Sequence, residues 1–203
     1  MIFDKRETVL LDGPAGKLET VLNVPAGAPR GMALIAHPHP LHGGTLDNKV
    51  VQTLANAFVA LDCAVLRMNF RGVGASEGVH DNGIGESDDL LAVLAYGRAR
   101  FGDLPLLLAG FSFGAYVQTR VRQSVQALRL VLVAPAVFRF ALAPVPPDTL
   151  LIHGENDDVV PLQDVFEWAR PQGLPVMVIP GADHFFHRRL NIIRGIVTTV
   201  CRF

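Results

Sequence analysis

Leu106-Leu107-Leu108-Ala109-Gly110-Phe111-Ser112-Phe113-Gly114 decides the reading of this chain. Four consecutive apolar residues end on a glycine-flanked serine, and a helix-compatible stretch, 115–123, follows at once. An apolar run without polar alternation reads as a strand buried on both faces. The glycines at 110 and 114 then imply a turn so tight that side chains two residues before and after the serine would collide. Strand, sharp turn and helix in that order define the local architecture.

Working outward, the same kind of apolar run recurs at 32–36, 64–68, 130–134, 150–152 and 176–179. Segments with helical spacing separate them. Residues 48–61 place Val50, Val51, Leu54, Phe58 and Leu61 on one stripe, and 87–101 do so with Leu90, Leu91, Leu94 and Phe101. Ser87 followed by Asp88 and Asp89 reads as the start of the second helix, because a cap oxygen and two carboxylates suit its exposed N–H groups. Residues 162–169 and 190–200 supply two more helices. The alternation predicts an α/β fold: an open, mostly parallel sheet with helices on both faces. Before it, 8–11 and 17–24 flank Asp12-Gly13-Pro14-Ala15-Gly16 and read as an antiparallel hairpin at the sheet edge. Pro135, Pro144, Pro146 and Pro147 forbid a continuous helix across 135–148, so an irregular excursion is expected there.

Composition bounds the class. The 203 residues are 50% hydrophobic and 18% charged with a net charge of −1, which predicts one globular domain over 1–203 with a core needing no staple. The two cysteines, Cys63 and Cys201, form no disulfide framework and read as thiols in a reducing, cytoplasmic setting. Near-neutral charge without a basic run argues against nucleic-acid and acidic-membrane partners. The start, Met1-Ile2-Phe3-Asp4-Lys5-Arg6-Glu7, places charges where an export leader needs an apolar stretch. The longest greasy uncharged stretch, 104–117, is too short for a membrane-spanning helix. Oligomeric state is not legible.

Ligands of open α/β sheets bind beyond the carboxyl ends of the strands. A serine, an acid and a histidine all follow strands there, in the order Ser112, Asp157, His184. A serine hydroxyl needs a neighbouring base to become a nucleophile, and the base needs an acid to fix its tautomer. His184 and Asp157 fit those roles, with Glu155 and Asp158 as rival acids and His187, which also reads as opening the last helix, as rival base. The Phe113 amide, at the start of a helix, points at the developing oxyanion. A second amide should come from the loop after 32–36, where Pro38 and Pro40 have no N–H and leave His39 and Leu41.

These residues make the chain resemble the α/β-hydrolases, and among them the small, cap-less, dienelactone-hydrolase-like serine esterases. His153-Gly154-Glu155-Asn156-Asp157-Asp158-Val159-Val160-Pro161 matches that family's acid-bearing stretch and selects Asp157. Gly181-Ala182-Asp183-His184-Phe185-Phe186 resembles its histidine loop and selects His184. Asn69-Phe70-Arg71-Gly72, with Gly74 and Ser76, resembles the loop after its fourth strand. Ser112 stands where dienelactone hydrolase proper carries a cysteine, which separates hydrolysis from lactone specificity. The resemblance implies a serine hydrolase acting on a small ester or thioester and favours His39 over Leu41 as the second oxyanion amide.

The expected site is open. Leu41, Arg71, Phe138 and Phe140 are candidate substrate-lining residues, with Leu142 beside them. Arg71 either meets an anionic substrate or braces its own turn. His37, His39 and His42 lack the acidic or thiol partners of a metal site, so no metal or other cofactor is expected, and His37 reads as a loop brace. Gly72-Val73-Gly74-Ala75-Ser76-Glu77 fails the dinucleotide fingerprint at its last position. Trp168 reads as packing. Two further readings stand beside the esterase: a hydrolase fold kept as a non-catalytic binding module, and a hydrolase of lactones or peptide-like substrates.

Overall fold

A computed structural model describes residues 5–202, so the first four residues of the charged start lie outside it. Its eight strands form one sheet in the order β1-β2-β4-β3-β5-β6-β7-β8. The expected hairpin is β1 (Lys5–Gly13) and β2 (Gly16–Val24), antiparallel, with Asp12 opposite Lys17. β2 joins β4 (Cys63–Met68) antiparallel, and every later pairing is parallel: β3 (Gly31–Ala36), β5 (Leu106–Phe111), β6 (Arg129–Val133), β7 (Leu150–Gly154) and β8 (Val176–Ile179).

The period-two geometry of the buried strands divides the core. Met32, Leu34 and Ala36 of β3 join Leu66 and Leu108 on the face covered by α2 (Ile84–Phe101), α3 (Phe113–Ser124) and α4 (Leu162–Ala169). Ala33 and Ile35 join Val65, Leu107 and Ala109 on the face covered by α1 (Lys49–Val59) and α5 (Leu190–Val200). Helices on both faces explain why β3, β4, β5 and β7 are buried throughout.

Three local expectations need correction. β8 carries the apolar run of a covered strand, yet it is the sheet edge, with Met177 exposed and its neighbours only half-buried. Nothing in a four-residue run distinguishes edge from centre. The second helix begins one turn before Ser87, at Ile84, because the Glu86 carboxylate reaches back to accept from the amides of Gly83 (2.8 Å) and Asp81 (2.9 Å). Ser87 donates instead to the Gly83 carbonyl (2.5 Å), and Asp89 is buried. His187 does not open α5 and lies in the turn before it. Residues 135–148 form neither helix nor strand, as their prolines require. Trp168 packs against the core.

The chain leaves β3 toward β4 on one side and later returns to β5 on the other. The loops after β3 and β5 therefore diverge, and the crevice between them lies at the carboxyl ends of both strands.

Candidate active site

Ser112 sits on the turn between β5 and α3 with φ 55° and ψ −116°, a conformation costly for a residue with a side chain. Neighbouring backbone enforces it. A Cβ on Gly110 would come 2.3 Å from the Gly114 carbonyl oxygen, and one on Gly114 would come 2.3 Å from that of Ala36. The Ser112 amide is anchored to the Val133 carbonyl (2.9 Å), and its own carbonyl accepts from Ala115 and Tyr116 as α3 begins. Phe113, as the first helical residue, has an amide with no acceptor inside the helix.

Ser112, His184 and Asp157 form a continuous chain. His184 Nε2 lies 3.1 Å from Ser112 Oγ and accepts its proton, while Nδ1 donates to Asp157 Oδ2 at 2.7 Å. Both bonds fix one tautomer. The imidazole is buried, flanked by Phe111 and by Phe185, whose ring stands edge-on at 5.1 Å. Asp157 spends its other oxygen on the amides of Val160 (2.7 Å) and Val159 (3.0 Å). Its loop is bonded to the histidine loop through Asn156 N–H to the Ala182 carbonyl (2.9 Å), and a Cβ on Gly154 would come 2.5 Å from that same oxygen. His153, at the end of β7, donates from Nε2 to the Val160 carbonyl (2.9 Å) and so closes the turn carrying the acid. Burial holds His153 below its ordinary pKa, so it serves there as a neutral donor.

The rivals have other partners. Glu155 accepts from the Gly181 amide (2.7 Å), Asp158 is exposed, and the exposed His187 pairs with Asp183 (2.6 Å).

His37 ends β3 and braces the loop after it. Its Nδ1 donates to the Pro38 carbonyl (2.6 Å) and its Nε2 accepts from the Phe70 amide (2.9 Å), which ties the loops after β3 and β4 together. Burial lowers its pKa to about 4, against the smaller opposing effect of the Pro38 bond, so the ring is neutral. The next residues make a short 3₁₀ turn, Pro40–His42. Within it the Leu41 amide donates to His39 Nδ1 (3.3 Å), whereas the His39 amide has no acceptor among the described residues. His39, too, is pushed down to about 4, first by burial and then by the proximity of His42, His80 and Arg139.

A cleft of about 50 Å³ opens beside Ser112, lined by His39, Phe113, Phe138, Phe140 and Val160 among others. Three expectations fail here. Leu41 is 70% exposed, does not line the cleft and has its amide engaged. Arg71 does not line it either: its Nε and Nη2 form a bidentate pair with the buried Asp89 (2.7 and 2.8 Å), and Nη2 also meets the Gly85 carbonyl. Leu142 packs against the core instead of the cleft. His42 lines the cleft too, as expected of the histidines after His37; Ala136, Arg139, Val159 and Val160 complete the lining, and sequence reasoning missed these four. The two valines were visible only as the tail of the acid-bearing stretch. Among the described residues no group of three or more His, Cys, Asp or Glu could hold a metal ion.

A serine on a strained elbow at the switch point of a mostly parallel sheet, without a lid over it, defines the lid-less α/β serine hydrolases. Residues 39–147 match the family described as serine aminopeptidase S33, and the chain belongs to that family. It is 37% identical to an α/β serine hydrolase without lid from Xanthomonas campestris, over 97% of this chain and 94% of that one, with a TM-score of 0.91. An α/β serine hydrolase homologue from Coxiella burnetii is 40% identical over 98% of both chains, with a TM-score of 0.88. Est1E from Butyrivibrio proteoclasticus, solved with ferulic acid bound, shares the fold at 16% identity over 95% of this chain and 97% of its own, with a TM-score of 0.82. No helix among the described residues is long and apolar enough to cross a membrane.

Proposed function

We propose that the chain is a carboxylesterase-like serine hydrolase, cleaving a small ester or thioester through an acyl-enzyme on Ser112. The observation that carries this reading is the unbroken hydrogen-bonded chain from Asp157 through His184 to a serine held in strained geometry. Ser112 Oγ attacks the carbonyl carbon while His184 Nε2 takes its proton. The amides of Phe113 and His39 hold the oxyanion, a contribution commonly worth about 3 kcal/mol per donor. His184 then returns the proton to the leaving oxygen or sulfur. Water, deprotonated by the same nitrogen, attacks the acyl-enzyme and frees Ser112 and the acid product. Asp157 orients the imidazole and stabilises its protonated form.

Cleft size and lining give the substrate class. The cleft beside Ser112 is small, about 50 Å³, and opens to solvent, which suits a small ester. Its walls include Phe113, Phe138 and Phe140, and none of the lining residues is Asp or Glu. An aminopeptidase needs a carboxylate to hold the substrate's ammonium, so the lining favours esters over the peptides that the family's description suggests. Est1E, with a small aromatic acid bound, offers a precedent on the same fold. We further propose a single domain over residues 1–203, supported by the one sheet that gathers all eight strands, and a reducing, cytoplasmic setting, supported by two buried free thiols.

A fluorophosphonate probe tests the reading. It is expected to label the wild type and not Ser112→Ala, and 4-nitrophenyl acetate turnover is expected to drop at least roughly a thousandfold in that variant. An unlabelled wild type, or equal labelling of both, overturns it. Activity on aminoacyl nitroanilides above that on acetate through octanoate esters would replace the substrate class.

A further inference from the structure

On the α1 side of the sheet's antiparallel end, a hollow of about 130 Å³ is lined by Arg6 of β1, Asn23 of β2, Arg67 of β4 and Gln52, Ala55 and Asn56 of α1. Strand register assembles it. Arg6 stands opposite Asn23, and Arg67 stands opposite Val21, two residues along β2 and so on the same face.

Arg67 is an uncommon residue to find there, because its side chain is only 4% exposed. Nη1 donates to the Leu46 carbonyl (2.8 Å) and Nη2 to Asn23 Oδ1 (3.2 Å). Its Nε and the Nδ2 of Asn23 are both buried with no acceptor among the described residues. Asp47 is the one carboxylate within 4 Å among those residues. Its Oδ1 lies 3.9 Å away, is largely solvated, and is shared with Arg6 (3.4 Å) and the Gln52 amide (3.3 Å). Burial lowers the Arg67 pKa to about 10, which leaves the guanidinium charged at neutral pH. Two guanidiniums therefore divide one surface carboxylate, and a buried cation short of counter-charge is strongly unfavourable. The hollow carries an excess of one positive charge and several N–H donors.

We propose that this hollow is a binding site for a small tetrahedral oxyanion, phosphate or sulfate, held by Arg6, Arg67 and the side-chain amides of Gln52 and Asn56. Its volume of about 130 Å³ admits such an ion. The site is wired to the catalytic side. Arg67 holds the carbonyl of Leu46 and Asn69 holds its amide (2.8 Å), and Leu46 lies in the loop that carries His39. Filling the site therefore steadies that loop as well as the antiparallel strands.

Thermal unfolding in phosphate, sulfate, acetate and chloride at matched ionic strength tests the site, alongside the Arg Nε–H resonances in a ¹⁵N-labelled sample. A saturable rise in Tm with phosphate or sulfate is expected, with a shifting Arg67 resonance that gives the same half-saturation. Arg6→Gln, on a side chain 53% exposed, is expected to fold and to bind roughly tenfold more weakly through loss of one charge-assisted contact. Arg67→Lys is expected to lose the saturable rise. Should that variant fail to fold, Arg6→Gln decides alone. An unmoved Arg67 resonance, an equal effect of acetate or chloride, or unchanged affinity in Arg6→Gln overturns the proposal. None of these readouts depends on hydrolysis, so failure here leaves the esterase reading standing.

Discussion

Protonating His37 should unlatch the loop that carries the His39 amide, and the size of the effect follows from its environment. The neutral ring accepts the Phe70 amide at Nε2, and burial lowers its pKa from its ordinary value near 6.5 to about 4. In the unfolded chain the imidazole keeps its ordinary pKa near 6.5. The folded state thus binds fewer protons than the unfolded state between these values, and stability falls as pH drops. The contribution is fully present above about pH 6.5 and gone below about pH 4, a total of about 3 kcal/mol. Between about pH 7.5 and pH 5 the expected loss is about 2 kcal/mol. His37→Gln does not titrate, and its Oε1 can accept from Phe70. The stability gap between wild type and variant should therefore narrow by that amount over the same interval. Urea unfolding followed by circular dichroism at both pH values measures it, with the denaturant slope checked for constancy. Parallel stability profiles for the two proteins would refute the assignment of His37 as a neutral, buried latch.

Two substitutions probe the frame around the serine. Gly114→Ala drives a Cβ to within 2.3 Å of the Ala36 carbonyl oxygen and 2.5 Å of that of His37, so β3 must yield. The expected cost is about 1–3 kcal/mol in urea unfolding, with kcat/KM falling further than stability because the displaced backbone leads to His39. Asp89→Ala leaves the Arg71 guanidinium buried without its bidentate partner and is expected to destabilise by about 3–5 kcal/mol, while KM for a neutral ester stays within about twofold in whatever fraction remains folded. A selective rise in KM for anionic esters at unchanged stability would restore Arg71 as a substrate ligand.

The legible parts of this molecule are those whose physics is local in sequence. Gly110 announces the elbow because the collisions it avoids are with Gly114 and Ala115 of the same turn. The acid and histidine loops follow strands in the order a parallel sheet requires, and their separation of 27 residues is spanned by α4 and β8. The interior strands are recognised by continuous apolar runs, since burial on both faces removes the polar alternation. Arg71 was harder to place. The loop sequence permits a side chain turned to ligand or to scaffold, and only the approach of α2, with Asp89 on it, settles which. The start of α2 was misread for the same reason, because Ser87 and Glu86 compete for the cap and the winner depends on where the preceding loop runs.

Sequence by itself determined the class of fold, the serine elbow, and the three residues now proposed to act together. Each rests on steric exclusion, on hydrophobic periodicity, or on a short stretch with few alternatives. Tertiary structure decided what depends on distance between segments far apart in the chain. It set the tautomer of His184, engaged the Leu41 amide while leaving that of His39 open, sized the cleft, and buried Arg67 beside Arg6 with one solvated carboxylate between them. Hydrogen bonds and ion pairs fade within a few ångströms. Which donors meet which acceptors is therefore fixed only once the sheet has assembled.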